Sequence, residues 1–223
     1  MASLTSNSLI PPFEEVHLNN LIVFTGGPGS GKTSVIDALK SQGYRCAPEV
    51  GRKVIQHQVS QQGSALPWLD KVAFRDEMVR EELVNYQAFQ ASNLPVFFDR
   101  CIVDSYGYSL LEALPIPDSL LELCNELEYS TKVFIFPPWE AIFINDQERK
   151  QDFEEAVATY EKMVEAYTRF GYQLVEVPKS SVEERVEFIL TSINLDKWFQ
   201  AKSKRKKPNS IDSIEWLMRG FSI

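Results

Sequence analysis

The segment Gly26-Gly27-Pro28-Gly29-Ser30-Gly31-Lys32-Thr33 follows the G-x-x-x-x-G-K-[ST] spacing of a phosphate-binding loop. Glycines allow backbone N–H groups to turn inward around an anion, and the helix expected to start beside Lys32 adds its dipole. Lys32 is placed to reach the β- and γ-phosphates, and the Thr33 hydroxyl to ligate Mg²⁺. With Ser34, the loop is the expected site for ATP or GTP with Mg²⁺, and Lys32 is expected to be exposed in it. A chain of this length matches the pattern by chance on the order of once in a hundred. An apolar strand before the loop and a helix start after it lower that further.

A phosphate loop does not name a reaction, so other chemically competent groups matter. Asp99 follows Val96-Phe97-Phe98 and stands where a carboxylate would hold Mg²⁺. A helix cap or a surface ion pair is its alternative role. Glu49, after the second apolar run, can accept a proton from a substrate hydroxyl, or be a dipole-stabilised carboxylate in a first helical turn. Arg149, and after it Lys150, lie in a polar stretch resembling a lid, where a cation would offset charge on a transferring phosphoryl group. A solvated helix face is the alternative there. Glu49, Arg52, Arg100, Asp104 and Tyr106 together form the candidate acceptor site, with Lys32, Glu49, Asp99, Arg100 and Arg149 as catalytic candidates.

These groups need a scaffold that delivers them to one edge. Apolar runs at Leu21–Phe24, Tyr44–Ala47, Val96–Phe98, Val133–Phe136 and Leu174–Val177 read as strands separated by helical segments. Phe153, Ala156, Val157, Tyr160, Val164 and Tyr167 recur at helical spacing and form a core face closed by Gly171. Such alternation predicts an α/β fold: three layers, with a mostly parallel five-stranded sheet covered on both faces and ligands at the carboxyl ends of its strands. Residues 1–19 read as an N-terminal extension and 20–194 as the nucleotide-binding domain, with a lid around 138–152. Residues 195–223 read as a basic linker, Lys202 to Lys207, and a short amphipathic helix through Ile211, Ile214, Leu217, Met218 and Phe221. That helix is expected to dock on the parent domain; a membrane surface or a protein partner is the lesser alternative.

The net charge of −8 argues against general nucleic-acid binding. Three widely spaced cysteines and two histidines suggest neither a disulfide framework nor a zinc site. No apolar run approaches the ~18 residues of a membrane span, and with no signal-like start the expected compartment is cytoplasmic.

The segments FTGGPGSGKTS, PEVGR, VFFDRCIVDSYGY, FIFPPWE with NDQERKQDFEEAV, and GYQLVEVPKSSVEERVEFIL together resemble one family. It is that of the predicted ATPases grouped with the NadR kinase domain and the Ttd-type nucleotide-binding proteins, within the P-loop kinases. The resemblance spans residues 20 to 192. It implies a five-stranded parallel sheet, ATP or GTP with Mg²⁺, and a crevice between lid and sheet. Glu49 matches the acidic residue after the second strand, and Asp99-Arg100 the acidic-arginine pair ending the third. Cys101 and Val103 stand where relatives carry small residues or proline.

The expected activity is transfer of the γ-phosphoryl group to a small hydroxylated acceptor such as a nucleoside, or NTP hydrolysis. The alternative is a nucleotide-dependent switch with negligible turnover.

Overall fold

The computed structural model describes residues 20–143 and 152–193. Arg149, Lys150, the N-terminal extension and the basic tract with its amphipathic segment lie outside the described residues. In chain order the elements are β1 (Leu21–Gly26), α1 (Lys32–Ser41), β2 (Arg45–Cys46), α2 (Val50–Ser60), α3 (Lys71–Phe89), β3 (Val96–Asp99), α4 (Ile102–Leu111), α5 (Asp118–Glu126), β4 (Lys132–Phe136), a 3₁₀ turn (Glu140–Ile142), α6 (Phe153–Arg169), β5 (Gln173–Glu176) and α7 (Val182–Ser192).

Alternate residues of the central strands serve two different cores. Leu21, Val23, Val96, Phe98, Val133 and Ile135 pack into one. Ile22, Phe24, Phe97, Phe134 and Phe136 pack into the other. A strand apolar on both faces must be covered on both, which selects parallel pairing with crossover helices. Residues of α4, α5 and α6 fill the first core, and α1 and α7 supply Val35, Leu39, Val186 and Ile189 to the second. The rings of Phe97, Phe134 and Phe136 lie with centroids 5.4 to 5.9 Å from that of Phe24, in tilted or edge-on contacts. Val50 and Val54 of α2 form a smaller cluster with Phe74 of α3.

All five strands are parallel in the order β2-β3-β1-β4-β5. β1 is therefore central, and its carboxyl end carries the phosphate loop. β2 is shorter than expected, two residues against four. It is an edge strand with one neighbour, so only Arg45 and Cys46 are in register; Tyr44 instead packs edge-on against Phe97. The Ala47 N–H still donates to the Phe97 carbonyl at 2.8 Å, which aims the following Pro48-Glu49 along the sheet's carboxyl edge. No described helix is long and apolar enough to cross a membrane.

Candidate functional site

β1 leaves the sheet at Gly26, whose φ of 126° is open to glycine alone. A Cβ there would lie 2.4 Å from the Phe136 carbonyl oxygen, so the first glycine lets the loop start against β4. At the other end Gly31, with φ 82°, caps α1. Lys32 is only 6% exposed, contrary to the expectation of an exposed side chain. Its ammonium donates to the carbonyls of Gly27 at 2.7 Å and Gly26 at 3.2 Å and to the Ser30 hydroxyl at 3.2 Å. Three turned-in oxygens are what a desolvated ammonium needs.

A cavity of about 380 Å³ opens over this loop. Pro28 through Ser34 form its floor, Glu49, Arg52 and Asp99 line it from the β2 and β3 ends, and Ile142, Phe143, Val182 and Arg185 from elements following β4 and β5. The strand order thus puts the two groups on opposite flanks of β1. Glu49 occupies the N-cap position of α2, yet its side chain makes no cap hydrogen bond. Its Oε2 instead lies 3.6 Å from the Arg52 Nε, with 18% of the Glu49 side chain exposed. Asp99 is not the cap of α4 either: Cys101 holds that position, and the capping carboxylate is Asp104. Asp99 is 6% exposed and faces the cavity. Thr33 and Asp99 would hold Mg²⁺, and a hydroxyl and one carboxylate suit an ion that keeps waters and takes phosphate oxygens. No larger group of potential metal ligands occurs among the described residues.

Arg100 adopts φ 74°, a strained conformation for a bulky residue. Its N–H donates to the Phe24 carbonyl at 2.9 Å, and its guanidinium donates to Asp104 and to the Gly26 carbonyl, both at 2.9 Å. Burial alone would lower its pKa, but Asp104, Asp99 and Glu49 outweigh this and hold it above its ordinary value.

Three of the five acceptor candidates, Arg100, Asp104 and Tyr106, do not line the cavity. Asp104 accepts from Thr25 Oγ1 at 2.6 Å, from the Cys101 N–H at 3.0 Å, from Arg100 and from the Tyr167 hydroxyl. It faces inward because it is the third residue of α4, where a carboxylate folds back on the cap. Tyr106 is 4% exposed, its ring 5.0 Å from Phe170 and beneath the Arg169 guanidinium. A tyrosine on the inner face of α4 is core.

A protein family described as AAA domain matches residues 21–185. The chain belongs to this AAA-domain family. No curated protein matches it by sequence. Among solved structures it is similar to deoxyadenosine kinase from M. mycoides with bound dATP, at 14% identity and a TM-score of 0.52, covering 78% of this chain and 99% of that one. It is also similar to thymidylate kinase from Candida albicans, at 13% identity and a TM-score of 0.55, over 81% of this chain and 93% of that one. NadR protein in complex with NR gives 16% identity and a TM-score of 0.55, over 79% of this chain and 50% of that one. These likenesses establish the fold, that of a P-loop α/β domain with kinases among its structural neighbours.

In this AAA domain the fold gathers Lys32, Thr33, Glu49, Arg52 and Asp99 on one cavity, with the Arg100 guanidinium bound to the Gly26 carbonyl at the start of the loop. Arg185 joins them although its sequence context suggested nothing: Val-Glu-Glu-Arg-Val reads as an ordinary helix start. Only the packing of α7 against α1 reveals it.

Proposed function

We propose that the chain transfers the γ-phosphoryl group of ATP or GTP to the hydroxyl of a small acceptor such as a nucleoside. The observation that carries this reading is Glu49, an N-cap residue whose side chain does not cap its helix and lines the phosphate-loop cavity beside Arg52 and Asp99. The alternative, a carboxylate held at the helix start by the dipole, needs no such bond, and the Glu49→Gln comparison below separates the two. A switch protein would not need an acid in this place.

Phosphoryl transfer asks the protein mainly for positioning and charge compensation. Loop N–H groups and Lys32 hold the β- and γ-phosphates, while Glu49 accepts the proton of the attacking hydroxyl and Arg52 keeps Glu49 oriented. Arg100, pinned between Asp104 and the Gly26 carbonyl, presents its charge at the junction of loop and acceptor flank. Thr33 and Asp99 would hold Mg²⁺, which would supply charge neutralisation on the phosphates.

A panel of hydroxylated metabolites assayed for ADP or GDP release tests the reading. Glu49→Gln is expected to lower acceptor-dependent turnover ~10²–10⁴-fold, with nucleotide affinity within about twofold of the parent. Parental turnover in Glu49→Gln would remove the base assignment. A parent that releases no more ADP or GDP with any acceptor than without would leave hydrolysis or switching.

A further inference from the structure

Arg185 stands one turn into α7, whose N-terminus Ser181 caps through the Glu184 N–H. It is 4% exposed and lines the cavity, with its guanidinium carbon 5.5 Å from the centre of the Trp139 ring. Its NH1 lies 3.4 Å from the Gly31 carbonyl and its Nε 3.4 Å from the Ser181 carbonyl. Both contacts are at the long limit for N–H···O bonds. Among the described residues no carboxylate reaches it within ion-pair distance, and Glu183 acts on it only through space. Burial accordingly lowers its pKa.

Among the described residues this buried guanidinium has two long carbonyl contacts and no acid, so a ligand anion would supply the partner that its desolvated charge favours. The surroundings make room for it. A Cβ on Gly31 would lie 2.5 Å from NH1, so the glycine capping α1 is also the one that admits this arginine. Two positive sources, the Arg185 side chain and the amino-terminal end of α1, thereby meet at one point of the phosphate loop. Trp139 covers the guanidinium and attracts it through its ring face, keeping it against the loop.

We propose that Arg185 binds the phosphate chain of the nucleotide, entering from the β5 flank while Lys32 acts from inside the loop. The ligand chemistry is a polyphosphate, whose oxygens a planar fork of N–H donors engages in pairs. This inference rests on nucleotide binding at the loop and is independent of which acceptor, or which reaction, follows. A buried lysine or a surface arginine would not combine fixed geometry with an uncompensated charge.

The test titrates MgATP, MgGTP and magnesium tripolyphosphate into the parent, Arg185→Met, Arg185→Lys and Lys32→Ala, alongside thermal melting without ligand. Arg185→Met is expected to bind all three ligands ~10- to 100-fold more weakly, while melting without ligand at or above the parental temperature, because a buried charge is replaced by an apolar chain. Arg185→Lys keeps the charge without the fork and is expected to lose only part of the affinity. Weaker nucleotide binding with unchanged tripolyphosphate binding would assign Arg185 to the base or sugar and overturn the proposal. Unchanged affinities with a lowered melting temperature would make Arg185 a structural prop and overturn it equally. Lys32→Ala separates the two layers of argument: it should lose tripolyphosphate binding whatever Arg185 does, and unchanged binding there would overturn the loop reading and the Arg185 proposal with it.

Discussion

Glu82 of α3 is 4% exposed, and its Oε2 has no hydrogen-bond partner. Burial, then the nearby Asp104 and Asp99, push its pKa well above the ordinary carboxylate value, with Arg100 opposing. The folded protein therefore keeps a proton on Glu82 that the unfolded chain releases. A raised folded pKa contributes stability that is fully present below the unfolded pKa and is lost as pH rises toward the folded one. Glu82→Gln removes that loss. Its stability relative to the parent is expected to grow as pH rises above about 4.5, the ordinary carboxyl value. Urea melts at pH 5, 6.5 and 8 measure it, and a constant difference between the two proteins would refute the neutral carboxyl. Sequence could not show this, because the charges acting on Glu82 come from β3 and α4. The surroundings of Asp104 and Arg185 were hidden for the same reason: residue type announces a capability, and burial decides its use. The positions of Glu49 and Asp99 were legible because Asp99 ends β3 and Glu49 comes just past the end of β2, and the sheet fixes both ends.

The phosphate loop works as an element only because β1 and β4 approach closely at Gly26. Gly26→Ala would require a Cβ 2.4 Å from the Phe136 carbonyl, in a backbone conformation of φ 126°. Neither group is the end of a flexible side chain, so the strands must part. The expected destabilisation is about 2 kcal/mol or more, a fall in Tm of roughly 4–8 °C, together with weakened nucleotide binding. Scanning calorimetry with and without MgATP checks both, and a parental Tm would show that the contact is relieved cheaply. The inner strands were readable at this scale because runs such as Leu21–Phe24 feed two cores at once. β2 was overestimated because Tyr44 and Ala47 are apolar for packing and turn reasons, and an edge strand has only one ladder to extend.

At the scale of the whole molecule, among the described residues the two main cores are filled between Leu21 and Ile189, and the family match ends at residue 185. A chain ending at Asn194 is therefore expected to melt cooperatively and to bind MgATP within about threefold of the full chain. Loss of binding with a native circular-dichroism spectrum would put the terminal segment in the site. The strand order carries a further consequence, for the layout of the sequence. Groups reaching the cavity from the β2–β3 flank lie between Glu49 and Asp99, and those from the β4–β5 flank between Ile142 and Arg185, with the loop encoded ahead of both. Each flank is thus contiguous in the sequence, so a single stretch of chain, 49–99 or 142–185, carries all the residues that line its side of the cavity.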